Sequence, residues 1–274
     1  LSFFAGVSSY NLISKNHQTK YVDTRIYKEL YISFIINDIA FKPEDKNALI
    51  NALIIARKYN ITFDLGVIAQ PFDNDANSDA FQIYQDNKDV FETVAHGLTH
   101  AADLQFINGA NKSSSYGEFH TQPTNVSVPA SIQEEHIKKM RGIFAGNNLT
   151  TATQIFTVPY YDGDNNTIAM AERNGYKLII MQISPVQKYT EINYGKIIAS
   201  EDYVFIPPYN IFNDADLVIS NNKIWDVASA GQKNIYVSLH PVNLEDLESA
   251  DKFFKNIIEK NPNAKFVMVS SRFK

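Results

Sequence analysis

The sequence predicts an α/β protein built as a distorted (β/α) barrel of about seven parallel strands. Segments with strand and helix character alternate along the chain. The strand segments are continuous apolar runs, as expected where both faces of a parallel sheet are covered. No linker divides the 274 residues, so one barrel-like domain is favoured over two domains.

The N-terminal half supplies three strands and two helices. Residues 1–30 are mixed and polar, and we interpret them as an extension of a domain that covers 31–274. A buried strand at 31–36 precedes a helix that begins near Pro43, where proline and acidic residues suit a helix N-terminus, and runs to about Tyr59. The next elements are a strand at 61–68, a helix at 79–88 and a strand at 90–95.

The C-terminal half continues the alternation after a long polar loop. Residues 101–130 are rich in Ser, Asn, Gly and Thr, and such long loops in compact domains are usually functional or disordered. A helix at 131–144 follows, with Ser131 as a candidate N-cap. Strands are predicted at 154–158, 177–181, 203–206, 234–239 and 265–269, with a helix at 166–174 and a last helix capped by Asn243.

Composition excludes several classes of function. The chain has 25 Lys and Arg against 30 Asp and Glu, a formal net charge of −5, which argues against a nucleic-acid binder that works by general phosphate neutralisation. The absence of Cys excludes disulfides, thiolate catalysis and Cys-based zinc sites. Imidazole chemistry must use one of six histidines, namely His17, His96, His100, His120, His136 and His240.

Several features of the sequence bear on the location of the protein. No window reaches the roughly 18–20 apolar residues of a membrane-spanning helix, so no transmembrane segment is expected in these residues. The chain begins at Leu1 rather than Met, which leaves a removed leader or anchor open. Asn-x-Ser/Thr sequons, weak evidence for export, occur at Asn60, Asn111, Asn125, Asn148 and Asn165. We expect an extracellular or cell-surface location, with a cytoplasmic one left open.

Polar residues suited to chemistry stand directly after apolar strands. Asp38, His96, the Pro159-Tyr160 pair and His240 all occupy this position. In a (β/α) barrel these strand ends face one common mouth, where active sites are built. Four separate segments therefore point to one site.

The most specific element is His96-Gly-Leu-Thr-His100. Two imidazoles at i and i+4 share one face if the segment is helical or tightly turned. Asp38 adds a carboxylate, and three protein ligands leave coordination positions open for water and substrate. A pair of helix-surface histidines is the alternative. The strand-end Asp38 and the late His240 favour the metal interpretation.

In order and context, these segments resemble the polysaccharide deacetylase (NodB-homology) superfamily, carbohydrate esterase family 4, over roughly 31–270. The family motif Thr-Phe-Asp-Asp-Gly corresponds to 35–39, His-Ser/Thr-x-x-His to 96–100, Arg-x-Pro-Tyr to 157–160 and Leu-x-His to 238–240. The His-Gly-x-Thr-His form, followed by Gly117-Glu118-Phe119, is most similar to a divergent branch. The resemblance implies a NodB-like deacetylase barrel.

The resemblance also implies roles for the matching residues. Asp38, His96 and His100 would hold a divalent metal, usually zinc, that polarises an acetamide carbonyl and activates water. The Tyr160 backbone N–H would complete an oxyanion hole, and His240 would protonate the leaving amine, with a structural core histidine as its alternative. The implied substrate is an acetylated polysaccharide or glycoconjugate that loses N-acetyl groups. A non-sugar amide is a further alternative.

Two positions depart from the family's pattern. Asn37 stands where the family has a catalytic-base Asp, and asparagine accepts no proton at neutral pH. Thr157 replaces the Arg that pairs with that base. Hydrolysis without a dedicated base stays open, as does loss of hydrolysis with the metal pocket retained, in a non-catalytic carbohydrate-binding or surface protein. A third outcome is a substitute carboxylate, for which the candidates are Glu118, Asp162 and Asp164.

Four residues near the predicted mouth are candidates for substrate binding, namely Pro159, Tyr161, Glu118 and Asp162. Glu118 and His120 either overhang the mouth or belong to a solvated loop, and the solvated loop is favoured. His136 lies on a charged helix face and is expected to be exposed to solvent.

Overall fold

The computed structural model describes residues 30–75, 77–101, 117–121, 126–182, 196–198, 203–205 and 234–273. Within these ranges the strands are β1 (Leu30–Ile39), β2 (Phe63–Val67), β3 (Phe91–Ala95), β4 (His120–Thr121), β5 (Val126–Ser127), β6 (Ile155–Asp162), β7 (Leu178–Gln182), β8 (Lys196–Ile198), β9 (Tyr203–Phe205), β10 (Asn234–Leu239) and β11 (Ala264–Phe266). The α-helices are α1 (Asp45–Tyr59), α2 (Ala69–Asp75), α3 (Asp79–Asp86), α4 (Ala130–Gly146), α5 (Asn165–Arg173) and α6 (Leu247–Lys260).

A large parallel sheet organises the described residues, and β4 and β5 form a separate two-stranded antiparallel sheet. The strand order of the large sheet is β8-β7-β6-β3-β2-β1-β10-β9, and β11 pairs with β1 outside this path. All pairings in the large sheet are parallel, and this sheet curls into a half-barrel with flanking helices. The α/β class and the distorted barrel predicted from the sequence are confirmed. Because the strands are parallel, their carboxyl ends meet at one edge.

Two apolar clusters hold the sheet. The larger cluster joins outward-facing strand residues to the buried faces of the helices, for example Phe34 of β1 to Phe254 of α6. The smaller cluster contains no residue of an α-helix and lies on the concave side of the sheet. Its members are Ile35, Val94, Ile155, Leu178, Ile180, Tyr236 and Val269. The interior of the half-barrel is therefore packed, as in closed barrels.

The last described residues, 269–273, cover the half-barrel at the edge opposite the carboxyl ends of the strands. A 3-10 helix, Val269–Phe273, places the fully buried Val269 in the interior cluster. The carboxylate of Asp64 accepts the Val269 backbone N–H, and Glu92 accepts that of Ser270 at 2.8 Å. Two buried carboxylates therefore fix this terminal turn on the sheet.

Several sequence-based boundaries differ from the structure. The last strand is β11, which ends at Phe266, and 269 belongs to the closing turn instead. Asp246, not Asn243, caps α6, because its side chain accepts the Glu248 N–H. Pro129, not Ser131, is the N-cap of α4. The division between an extension at 1–30 and a domain at 31–274 stays a prediction, since 1–29 lie outside the described residues. No described helix has the length and apolar character needed to span a bilayer.

Candidate metal and catalytic site

Asp38 is directed into the site by an irregularity in β1. The pairing of β1 with β2 shifts register between Ile36 and Ile39, and Asp38 has φ +62°. Bulges re-aim a side chain, and aspartate is among the few L-residues that tolerate the left-handed region. The local backbone thus turns a carboxylate toward the carboxyl edge of the sheet.

The two motif histidines lie on a tight loop after β3. His96 donates its backbone N–H to Val67 of β2, and the next residue, Gly97, has φ +86°. His100, which ends the loop, has φ +71°. The loop is not helical, so the two imidazoles meet through a turn, with ring centroids 5.1 Å apart.

Asp38, His96 and His100 bring their ligand atoms within 4.8 Å of one another. Oδ1 of Asp38 lies 3.1 Å from Nε2 of His96 and 2.9 Å from Nε2 of His100. His96 is buried, whereas the Asp38 side chain is 34% exposed. The predicted ligands therefore converge from two segments at a position that solvent can reach.

Thr157 determines which nitrogen of His96 faces the ligand set. Nδ1 of His96 lies 2.9 Å from the Thr157 carbonyl oxygen, which can only accept a hydrogen bond. Nδ1 therefore carries the proton, and Nε2 presents its lone pair to Asp38. Two acceptor atoms 3.1 Å apart repel unless a positive charge lies between them, either a second proton or a metal ion. This donor set fits a divalent cation, for which imidazole and carboxylate are usual ligands.

The charge state of Asp38 agrees with this arrangement. Burial by itself raises the pKa of the Asp38 carboxyl, but its contacts with His100 and His96 outweigh this effect and lower that pKa far below its usual range. The carboxyl group is therefore ionised at neutral pH and available as a ligand.

His240 stands beside the ligand set at the end of β10. Its Nε2 lies 3.7 Å from Oδ2 of Asp38. A short 3-10 helix, Pro241–Leu244, begins immediately after it, and Asn243 accepts the His240 backbone N–H at 2.8 Å. Burial lowers the pKa of His240 to about 4, partly offset by Asp38, so the imidazole is neutral at neutral pH.

Pro159 and Tyr160 lie at a second irregularity, in β6. The register of β6 against β7 shifts between Thr157 and Asp162, and Tyr160 has φ +53°. The Tyr160 side chain is 43% exposed, and its ring centroid lies 4.6 Å from that of His100. Pro159 is buried beneath this turn. The side chain of Tyr161 lies outside the described residues.

Asn37 is buried inside the sheet, and both the nitrogen and the oxygen of its side-chain amide are hydrogen-bonded. Its Nδ2 donates to Oγ of Ser238 at 2.9 Å, and its Oδ1 accepts from the Thr157 hydroxyl at 3.4 Å. A Cβ on Gly66 would overlap Oδ1 of Asn37. Asn37 and Thr157, the two positions predicted to depart from the family's pattern, are therefore direct neighbours.

Glu118 is not a solvated loop residue. Its side chain is fully buried, and it accepts the backbone N–H groups of Leu98, Thr99 and His100. His136 donates to it from α4, with Nδ1 2.8 Å from Oε1. The expectation that His136 is exposed to solvent is wrong, because this ion pair holds it half-buried with an 18% exposed side chain.

The other two candidates for a substitute carboxylate, Asp162 and Asp164, also form hydrogen bonds with groups of the protein. Asp162 lies 2.7 Å from Nδ1 of His120, and both side chains are buried, so the solvated-loop expectation is wrong for His120 as well. Asp164 is the N-cap of α5 and accepts the Thr167 N–H at 2.9 Å. Like Glu118, each of these carboxylates is bonded to protein groups.

Thr157 and Glu118 act in ways that the sequence did not reveal. In the sequence, Thr157 stood out only because the resembled family has an Arg at this position. In the structure, its carbonyl oxygen orients the imidazole of His96. Glu118 was singled out by its position after the histidine motif. Its role could not be predicted, because its partners are backbone N–H groups, which every residue except proline has. The sequence signal that remained was Gly97, whose absent side chain makes room for Glu118.

The sequence matches no protein-family model and no curated protein. The structure is similar to a protein assigned as a polysaccharide deacetylase from Mycobacterium smegmatis, with a TM-score of 0.58, 9% identity and coverage of 89% of this chain and 88% of the other. It is also similar to the chitin deacetylase of Colletotrichum lindemuthianum, with a TM-score of 0.54, 13% identity and coverage of 88% and 86%.

A third similar structure is a carbohydrate esterase family 4 pseudoenzyme from Bacillus anthracis. The TM-score is 0.52 at 11% identity, and the match covers 86% of this chain. The chain spans just under two thirds of that protein, 63% of its length. At identities of 9% to 13%, these likenesses show a shared fold.

Proposed function

Since the chain has the fold of the family 4 polysaccharide deacetylases, we propose that it is a divalent-metal-dependent hydrolase that removes N-acetyl groups from an acetylated polysaccharide or glycoconjugate. The observation that carries this proposal is the convergence of Asp38, His96 and His100, whose ligand atoms lie within 4.8 Å of one another. Zinc is the proposed metal, because a set of two imidazoles and one carboxylate suits it and leaves coordination positions open.

The residues around this set supply complementary chemistry. A divalent metal held by Asp38, His96 and His100 would polarise the amide carbonyl and acidify water. The backbone N–H of Tyr160 would donate to the oxygen of the tetrahedral intermediate. The exposed Tyr160 ring, beside His100, offers an apolar face on which a sugar ring can stack.

Proton transfer in this site would depend on His240. Asn37 accepts no proton, and its amide is already bonded to Ser238 and Thr157. Among the described residues, His240 is the imidazole next to the ligand set that is not itself a ligand, and its Nε2 is 3.7 Å from Asp38. Nε2 of His240 would therefore receive the proton of the attacking water and deliver it to the leaving nitrogen.

A second candidate function is carbohydrate binding without hydrolysis. The buried, doubly bonded Asn37 favours it, because no carboxylate stands at the position of the family's base. The similarity to a family 4 pseudoenzyme is a fold likeness that accommodates this alternative. The two functions share the ligand set and differ in turnover.

Metal analysis tests the ligand set. Purified protein is dialysed against Zn²⁺, and bound metal is measured for the wild type, His96→Ala and His100→Ala. The control is His120→Asn, which removes an imidazole that is bonded to Asp162 outside the ligand set. We expect one bound ion in the wild type and the control and a large loss in both ligand variants. Equal metal content in all four proteins contradicts the proposal.

Acetate release from acetylated chito-oligosaccharides separates the two functions. Sustained turnover that disappears in His240→Ala supports hydrolysis. Saturable glycan binding without acetate release, across a broad panel of acetylated substrates, supports the binding function and overturns the hydrolase.

A further inference from the structure

We propose that Glu118 is a positioning residue that holds the metal-binding loop, 96–100, in the geometry needed to bind the ion. This inference rests on the proposed metal site. It assigns a role to a carboxylate that contacts no predicted ligand side chain and acts through the backbone of the loop.

Three consecutive backbone N–H groups converge on this one carboxylate. Oε2 of Glu118 accepts from Leu98 at 2.9 Å, from Thr99 at 3.2 Å and from His100 at 3.1 Å. Successive N–H groups that point to one centre form an anion-binding nest, and bonds to a charged acceptor are the strong ones. The last of these groups belongs to His100, so the nest fixes the main chain that carries this ligand.

The opposite side of the loop is bonded to helix α2. The carbonyl of Gly97 accepts from the Ala69 N–H at 3.0 Å, and that of Leu98 accepts from the Gln70 N–H at 2.8 Å. The carbonyls of Gly97 and Leu98 are therefore held by backbone N–H groups, whereas the N–H groups of residues 98–100 are held by the side chain of Glu118. Loss of this carboxylate would leave three buried or half-buried donors without their acceptor.

Gly97 allows the carboxylate to approach. A Cβ at this residue would overlap Oε2 of Glu118 and lie 2.5 Å from Cγ of Pro159. Gly97 also has φ +86°, where glycine carries no steric cost. The glycine within the histidine motif is thus explained by the close approach of Glu118.

Glu118 is itself fixed from several directions. His136 of α4 donates to Oε1 at 2.8 Å. The next residue, Phe119, is fully buried and packs edge-on against Phe156 of β6, with ring centroids 5.5 Å apart. Gln133 of α4 donates to the Phe119 carbonyl at 3.3 Å. The carboxylate is therefore preorganised by the core and by α4, as a group that orients a metal ligand must be.

The test compares Glu118→Gln with Glu92→Gln. Both residues are buried glutamates that accept backbone N–H bonds, but Glu92 holds Ser270 at the opposite end of the half-barrel. Zn²⁺ affinity is measured by competition with a chromophoric chelator, and the ligand geometry is followed through the visible absorption of bound Co²⁺. Hydrogen exchange of the 98–100 amides reports the loop in metal-free protein.

In Glu118→Gln we expect Zn²⁺ affinity to fall about 10- to 100-fold, as for groups that orient metal ligands. The Co²⁺ spectrum should shift and the 98–100 amides should exchange faster. Glu92→Gln should lower stability yet keep the affinity and spectrum of the wild type. Unchanged affinity and spectrum in Glu118→Gln, or an equal loss of affinity in Glu92→Gln, overturns the inference alone. A wild type that binds neither ion overturns the proposed function and this inference with it.

Discussion

The side-chain amide of Asn37 donates to the hydroxyl oxygen of Ser238 at 2.9 Å, joining β1 to β10 inside the half-barrel. Both residues are fully buried, and the Thr157 hydroxyl approaches the other end of the amide. The side-chain partners shown for this buried position, Ser238 and Thr157, are both uncharged, so a neutral amide suits it better than a carboxylate. We refer to Asn37 and Thr157 as a matched neutral pair, because these neighbouring buried side chains are both uncharged.

We expect Asn37→Asp to lower the free energy of unfolding at neutral pH by about 1–3 kcal/mol, because it loses the donor to Ser238 and buries a charge. Burial without a cation raises the pKa of the new carboxyl, so the loss should shrink as the pH falls and the group becomes neutral. Urea unfolding at several pH values measures this. Asn47→Asp, on the exposed first turn of α1, should change stability by less than about 0.5 kcal/mol. Equal effects of the two substitutions would show that position 37 tolerates a charge, and would contradict the interpretation of Asn37 and Thr157 as a matched neutral pair.

Gly97→Ala and Gly142→Ala should change stability in opposite directions. At Gly97 the left-handed backbone costs an L-residue about 1–2 kcal/mol, and overlap with Glu118 and Pro159 adds about 1–3 kcal/mol. Gly142 lies exposed in α4 with nothing within 4 Å of an added Cβ, so alanine should stabilise by about 0.5–1 kcal/mol. Thermal and urea unfolding measure the stability of both variants. If Gly97→Ala were as stable as the wild type, the close approach of Glu118 to residue 97 would not be needed.

The ion pair of His136 with Glu118 should make stability depend on pH. The hydrogen bond that His136 donates to Glu118 raises the pKa of His136 above 6.5, against the lowering effect of burial. This contribution is fully present below pH 6.5 and is lost as the pH rises through the raised pKa of the folded state. We expect the stability difference between the wild type and His136→Gln, which does not titrate, to decrease above pH 6.5. A difference that stays constant in urea unfolding across this range would contradict the prediction.

Zinc should stabilise the wild type by mass action. An ion that binds only the folded chain adds about 2.7 kcal/mol at a free concentration of 100 times its Kd. Differential scanning fluorimetry with and without Zn²⁺ should therefore show a rise in Tm that a chelator reverses. His96→Ala should show no such rise, because the ion loses a ligand. An equal rise in His96→Ala would place the bound ion elsewhere.

Val269→Ala should destabilise the fold without affecting metal binding. Val269 is fully buried in the interior cluster at the closed end of the half-barrel. Loss of its two methyl groups should cost about 1–3 kcal/mol of unfolding free energy, since core truncations lose both transfer energy and packing. Ile50→Ala, on an exposed face of α1, should cost far less. A loss of Zn²⁺ affinity in Val269→Ala would link the two ends of the half-barrel.

The sequence predicted the barrel and the ligand set because both follow local patterns. Continuous apolar runs predicted the parallel strands, and strand-end positions placed Asp38, His96 and His240 at one edge. Long-range partners have no such pattern. Glu118 is bonded to a loop some 20 residues earlier and to His136 on α4, so composition alone made it appear to be a solvated loop residue. Cell-surface location stays a prediction.

By itself, the sequence determined an α/β barrel without cysteine chemistry, in which any metal must be bound through nitrogen and oxygen. The resemblance to the deacetylase motifs also predicted that Asn37 and Thr157 stand at positions where that family has charged residues. Only the tertiary structure decided that these two residues touch each other, that Thr157 orients His96, and that Glu118 holds the loop of His100. The physical reason is that hydrogen bonds between distant strands and loops depend on where the chain folds back, whereas periodicity records only which face of a strand or helix is buried.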